Sequence, residues 1–171
     1  MIRIELLSET NFSENSLDSY TRTQSVKKVY RKSGTEYALV EMPYTEDWDA
    51  AKKRQVAREL LSGEYISYGA FDGEMVIGFI GLRRKLKGSF MILELMQVSA
   101  EYRGKGIGRR LFELGREEAK KAGANALYIS ACSSEETVGF YKAVGAVITD
   151  TPIREIADDE PFDVQMVCRI G

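Results

Sequence analysis

The run from Glu94 to Gly108, Glu-Leu-Met-Gln-Val-Ser-Ala-Glu-Tyr-Arg-Gly-Lys-Gly-Ile-Gly, concentrates residue types that bind phosphate. Arg103 is followed by Gly104, Gly106 and Gly108, with Lys105, Ile107 and Arg109 between and after them. Glycine lets backbone come close to a ligand because no side chain intervenes. Where such a stretch turns from a strand into a helix, the amides from Gly104 to Arg109 are free and lie at the positive end of the helix dipole. That is a site for an anion. A Walker-type loop is excluded, since Lys105 is followed by Gly106 rather than Ser or Thr. A Gly-x-Gly-x-x-Gly dinucleotide fingerprint fails as well, because Arg109 stands at its third glycine. One further group could move a proton: the carboxylate of Glu94. The chain has no histidine, which removes imidazole as the neutral-pH base and rules out His triads and His metal clusters. Proton transfer is left to carboxylate, tyrosine, lysine, cysteine or water.

Composition sets the frame for these groups. At 171 residues the chain is read as a single domain able to bury a sizeable core. Its 24 basic residues against 26 acidic give a net charge of −2, with no basic footprint for nucleic acid. A cationic substrate would not be repelled. Cys132 and Cys168 fall in predicted strands with no metal or redox spacing, as expected of buried thiols in a reducing cytoplasm. Neither a signal peptide nor an apolar run of membrane-spanning length is expected.

The elements that must position the candidate groups read as follows. Residues 2–7 form a first strand, and a helix is expected over about Ser25–Arg31. Glu36 to Met42 is extended and stopped by Pro43. Thr45-Glu46-Asp47 opens a helix to about Leu61. Strands over 65–71 and 75–84 are joined by the turn signal Asp72-Gly73, and a third runs over 89–98. Glu94 shares strand parity with Met96 and Val98, which predicts that the three side chains face one way. Apolar Ile107, Leu111, Leu114 and Ala122 mark an amphipathic helix, with Gly123 its C-cap candidate. A short strand over 127–131 follows. Ser133 and Glu136 have capping-box spacing for a helix to about Val144. Gly145 to Ile148 continues as a strand, a polar acidic loop follows, and a strand over 162–170 ends the chain.

Arg103-x-x-Gly106-x-Gly108, set between a strand ending in Met96-Gln97-Val98 and an amphipathic helix, resembles the acetyl-CoA pyrophosphate loop of the GNAT acetyltransferase superfamily. Ser134-x-x-Thr137-x-x-Phe140-Tyr141-x-x-x-Gly145 resembles that superfamily's Asn-x-x-Ala-x-x-Phe-Tyr-x-x-x-Gly-Phe pattern, with Ser134 in place of asparagine and Ala146 in place of the aromatic. The resemblance implies a GNAT fold of the α/β (α+β) class, a mixed central sheet of about seven strands with flanking helices. One domain would span 1–171, with a variable acceptor-side region at 1–63, an acetyl-CoA core at 64–148 and a C-terminal loop and strand at 149–171.

By the same resemblance, the backbone around Met96, Gln97 and Val98 pairs with pantetheine, and an amide near Met96 faces the acetyl carbonyl. Amides of Gly104, Lys105, Gly106, Ile107, Gly108 and Arg109 hold the pyrophosphate, with Arg103, Lys105 or Arg109 adding charge. Ser134 offers pantetheine one hydrogen bond. Tyr141 is the acid for the departing thiolate, and Glu94 is a base or a contact for the substrate ammonium. Glu41, an acid of the 158–160 loop, or water are the alternatives for the base. The expected activity is N-acetylation of a primary amine with acetyl-CoA as co-substrate and no metal. The acceptor would be a small cationic molecule such as an antibiotic or polyamine, and enzymes acting on streptothricin have a loosely similar layout. Tyr44, Asp47, Trp48, Asp49, Tyr65 and Tyr68 are candidates to line its pocket. A protein N-terminus or lysine as acceptor, or an acyl-CoA-binding module without turnover, remain the alternatives. A homodimer is a superfamily expectation.

Overall fold

The computed structural model describes residues 1–170. Nine strands and four helices follow one another as β1 (Ile2–Leu6), β2 (Gln24–Ser33), β3 (Glu36–Glu46), α1 (Ala50–Leu61), β4 (Tyr65–Asp72), β5 (Met75–Arg83), β6 (Phe90–Val98), α2 (Ile107–Lys121), β7 (Ala126–Ala131), α3 (Glu135–Ala143), β8 (Val147–Ile148), α4 (Arg154–Asp159) and β9 (Val164–Arg169). A seven-stranded sheet has the order β1-β4-β5-β6-β7-β9-β8, and β2 and β3 form a separate ribbon. Only β6 and β7 run parallel, as the connection through α2 requires. Among the described residues no helix is long and apolar enough to cross a membrane.

Neighbouring residues on a strand face opposite ways, and β5 uses both faces. Ile80 joins a core built with Leu111 and Phe112 of α2 and Val138 and Tyr141 of α3. Phe79, next to it, joins a second core with Val56, Ala57 and Leu60 of α1 and with Leu17 and Tyr20 of the N-terminal segment. The sheet is thus covered on both sides, which explains why β5 is buried almost throughout.

Four expectations fail locally. Residues 25–31 are a strand, not a helix. Val26 and Val29 are both buried three residues apart, which mimics helical spacing. The ribbon carries a bulge where Val26 pairs with Tyr44 but Lys28 pairs with Glu41, and bulges sharpen local twist. The extra residue falls at Met42-Pro43, so β3 runs through the proline instead of stopping there, as bulges allow. Helix α1 consequently starts later than expected, capped by Asp49, whose carboxylate accepts from Lys52 N–H at 2.8 Å. Near the C-terminus, residues 154–159 of the expected loop form the short helix α4.

One irregularity positions everything that follows. In the β5–β6 ladder, Gly81 pairs with Leu95 but Leu82 pairs with Leu93, so Glu94 is an extra residue in β6. Pairing of β6 with β7 stops at the same level, at Leu93 opposite Ile129. Beyond it the two parallel strands part.

Candidate active site

The parting of β6 and β7 leaves backbone without a neighbouring strand. Ser99 N–H donates to the Ile77 carbonyl at 2.8 Å. Hydrogen-bonded pairs in an antiparallel ladder recur at every second residue, which makes Phe79–Gln97 and Gly81–Leu95 the bonded pairs of β5 and β6. The amides and carbonyls of Met96 and Val98 therefore point the other way, toward the side β7 has left. A row of aligned main-chain donors and acceptors at an unpaired edge accepts an extended ligand as an added strand.

At the end of β6 a short 3-10 turn, Ala100–Tyr102, leads into the glycines. Gly104 and Gly106 adopt φ of 78° and 81°, a region L side chains avoid. Gly106 is the N-cap of α2, and no side chain caps the helix. The first amides of α2 are consequently without intrahelical partners and converge beyond the turn. Gly108 serves a different purpose: a Cβ there would stand 3.1 Å from Phe140, so its absence lets α2 pack close to α3.

Arg103 does less for an anion than the sequence suggests. Its Nε donates to the Val98 carbonyl at 3.0 Å, one Nη to Thr23 at 3.1 Å and the other to Arg22 at 3.3 Å. The guanidinium is mainly a clip that ties the glycine turn to the start of β2. Lys105 rests over the Tyr102 ring, 5.3 Å from its centroid. Arg109 makes one long contact, 3.5 Å, to the Ala143 carbonyl.

A cavity of about 460 Å³ lies along this edge, lined by Met96 and Val98, the glycine turn, and Thr137, Phe140 and Tyr141 of α3. Gln97, Arg103, Ile107 and Arg109 also line it, while Lys105 and Ser134 do not. Ser134, fully buried, is the N-cap of α3. Its Oγ accepts from Thr137 N–H at 3.2 Å and donates to Thr137 Oγ1 at 2.8 Å. The cap is therefore Ser134, not Ser133, and its hydroxyl is already engaged. Replacing Ser134 by alanine is expected to lower stability by about 1 kcal/mol, read as a lower urea midpoint with an unchanged m-value.

A second cavity of about 190 Å³ lies on the far side of the same wall, and Met96, Gln97, Thr137 and Tyr141 line both. Tyr141 thus stands where the two spaces meet. Burial, reinforced by nearby Cys132 and Asp163, pushes its phenol well above the ordinary tyrosine range, so it keeps its proton through neutral pH. Asp163 lines the smaller cavity. Burial pushes its carboxyl up to about 6, against the pull of the Ser130 hydroxyl, which donates to Oδ2 at 2.9 Å. Behind it, Gln165 Nε2 donates to Ser130 Oγ at 2.8 Å and Tyr128 donates to Gln165 Oε1. Such a chain holds the carboxylate in one orientation.

Glu94 also lines the smaller cavity, but not as strand parity predicted. The bulge at its own position reverses the alternation. Met91 and Leu93 before it belong to the same core that Met96 and Val98 pack against after it. Both Glu94 oxygens accept from Arg83, each at 3.3 Å. Of the aromatic and acidic residues proposed for a pocket, Trp48 alone lines this cavity. Tyr68 instead donates to Glu118 of α2, and Tyr65 lies under Arg83.

Two groups in the smaller cavity escape sequence reading. Asp163 follows the acidic 158–160 stretch in which a base was sought, and no local pattern separates it from those neighbours. Arg22 lies in a polar segment without motif, yet it is 6% exposed and lines the cavity beside Trp48.

Comparison with known proteins bears on this geometry. The family model of an acetyltransferase (GNAT) domain matches residues 19–156. A search of curated proteins finds no match. Among solved structures, a Bacillus anthracis protein described as a streptothricin acetyltransferase, in complex with acetyl coenzyme A, superposes with a TM-score of 0.75 at 18% identity, over 100% of this chain and 99% of that one. A nourseothricin acetyltransferase superposes with a TM-score of 0.76 at 17% identity, over 99% of each chain. PaiA N-acetyltransferase from Thermoplasma acidophilum, in complex with coenzyme A, gives 0.63 at 19% identity, over 99% of each chain. At these identities the likeness is one of fold.

Proposed function

The chain belongs to the GNAT acetyltransferase family, and from that premise we propose that it transfers the acetyl group of acetyl-CoA to a primary amine of a small molecule. The observation that carries this reading is the pair of cavities sharing Met96 and Tyr141 in one wall. Such a wall lets a thioester reach an amine without either ligand passing through the other's site, as direct transfer in a ternary complex requires.

The larger cavity takes acetyl-CoA. Main-chain groups of Met96 and Val98 bind the pantetheine arm, and the first amides of α2 bind the pyrophosphate. Gly106→Val should weaken acetyl-CoA at least about tenfold, measured by calorimetric titration. A β-branched residue is strained at φ of 81°, and its Cβ meets no protein atom within 4 Å, so the side chain projects into the space left for phosphate.

The amine enters the smaller cavity. Asp163 takes a proton from the attacking nitrogen as the C–N bond forms. The Met96 N–H receives the negative charge that develops on the acetyl oxygen. When the C–S bond breaks, the electron pair stays on sulfur, and the Tyr141 hydroxyl hydrogen-bonds the leaving thiolate. Glu94, paired with Arg83, contributes negative potential at the cavity edge. A volume of about 190 Å³ favours a small acceptor over a protein segment, which would need an open groove. The test is release of coenzyme A thiol on mixing the protein, acetyl-CoA and a panel of amines.

A further inference from the structure

The register of β7 and β9 gathers four polar side chains into one row. Ser130 pairs with Gln165, and residues two apart on a strand share a face. Tyr128 and Ser130 of β7 therefore lie beside Gln165 of β9 and Asp163 just before it. Ile153 and Ile156 of the α4 segment cover this face, packed on the cluster that holds Tyr128.

The hydrogen bonds along the row have one direction, and a main-chain amide sets it. Ile153 N–H can only donate, and it donates to the Tyr128 hydroxyl at 2.9 Å. The Tyr128 proton then goes to Gln165 Oε1 at 2.5 Å. That fixes the Gln165 amide, whose Nε2 donates to Ser130 Oγ at 2.8 Å. The Ser130 proton is left for Asp163 Oδ2, at 2.9 Å. The opposite orientation of Gln165 would leave the proton of Tyr128, a fully buried residue, without an acceptor. It would also turn the Ser130 proton toward Gln165 and take it from Asp163. Every proton in the row thus points toward Asp163, and such a series polarises in the sense that favours negative charge at its end.

The other titratable or charged groups around Asp163 are Glu160 on its own segment, Glu46 of β3 and Tyr141 of α3. Arg22, Glu94 and Cys132 stand in the same cavity wall. Among the described residues, Ser130 is the only donor to the Asp163 carboxylate. Oδ1 accepts no bond from them and remains accessible.

We propose that Tyr128, Gln165 and Ser130 are positioning residues for the base: they hold the Asp163 carboxylate ionised through Oδ2 and leave Oδ1 to take the amine proton. The protons of the row stay on their donors, and one proton moves, from the attacking nitrogen to Oδ1. This rests on the proposed role of Asp163 in acetyl transfer and names the groups that set its pH range.

The test follows the Asp163 carboxyl carbon by NMR titration, without acetyl-CoA or acceptor, alongside the pH profile of kcat for thiol release. Ser130→Ala should raise the titration midpoint by about one pH unit, the size of one hydrogen bond to a charged group. Gln165→Met should raise it by less, and in the Ser130→Ala background should raise it no further, because Gln165 acts through Ser130. Ser130→Thr keeps the hydroxyl and should keep the wild-type midpoint. The acidic limb of kcat should move with the midpoint, making Ser130→Ala about tenfold slower at pH 5 and close to wild type at pH 8. Circular dichroism melts report whether each variant is folded, and Ser130→Ala alone decides if Gln165→Met is not. A midpoint unmoved in folded Ser130→Ala, or an equal shift from Gln165→Met in both backgrounds, overturns the proposal and leaves acetyl transfer standing. A midpoint that moves while the acidic limb of kcat stays fixed keeps the row and overturns Asp163 as the base.

Discussion

Tyr141→Phe is expected to lower kcat for acetyl transfer about a hundredfold while changing acetyl-CoA affinity little, the size of effect typical for loss of a proton-donating group in the transition state. The ring is buried in the core with Phe112 and Phe140, at centroid distances of 6.1 and 5.4 Å. Phenylalanine keeps that packing and deletes only the hydroxyl. Because burial raises the phenol far above the ordinary tyrosine range, the role we propose for Tyr141 is that of a hydrogen-bond donor to the departing thiolate, not of an acid that protonates it outright. Activated thioesters with a more acidic thiol should suffer less from the substitution, since their sulfur carries less charge. A loss in KM alone, or unchanged turnover, would return Tyr141 to a purely structural role.

Asp163→Asn is the second large effect. With the carboxyl held up at about 6, the group is protonated below that pH and ionised above it. As a base it works only when ionised, so the wild-type kcat should fall as pH drops through about 6 and level off above it. The asparagine variant should lose about a hundredfold at neutral pH and lose that acidic limb with it. The sign for stability is opposite. A carboxylate whose folded-state pKa lies above its unfolded value costs the fold stability at pH above both. Removing the charge should therefore raise the thermal midpoint at pH 8, while the Ser130 hydroxyl still finds an oxygen to donate to. Slower turnover in a more stable protein separates a role in the chemistry from general damage.

Legibility in the sequence tracked how local each feature is. The turn at Arg103–Gly108 was readable because its requirement is local: two glycines at positive φ and a helix start within a few residues. The order of strands and helices from β4 to β8 followed from periodicity and turn chemistry and the mixed sheet of about seven strands from the family resemblance, and both agree with the fold, in which α4 is an addition. The N-terminal region was misread because a bulged, twisted ribbon buries Val26 and Val29 at a helical interval. Parity failed at Glu94 for a related reason. A bulge adds one residue to a strand and reverses every side chain beyond it, and nothing in the run Leu93-Glu94-Leu95 announces it. The groups of the smaller cavity were the least legible. Asp163 and Arg22 reach it from segments far apart in the chain, and their chemistry comes from burial, which only the folded protein defines.

Every step proposed above requires acetyl-CoA along the unpaired edge of β6 with its pyrophosphate at the glycine turn. The most direct test is calorimetric titration of the wild-type protein with acetyl-CoA and, in parallel, with acetyl-pantetheine, which lacks the pyrophosphate. A single site per chain is expected for acetyl-CoA, with binding weaker by about tenfold or more for acetyl-pantetheine, given charge-assisted bonds to the helix amides. Absence of acetyl-CoA binding, or equal affinity for the two, would contradict it.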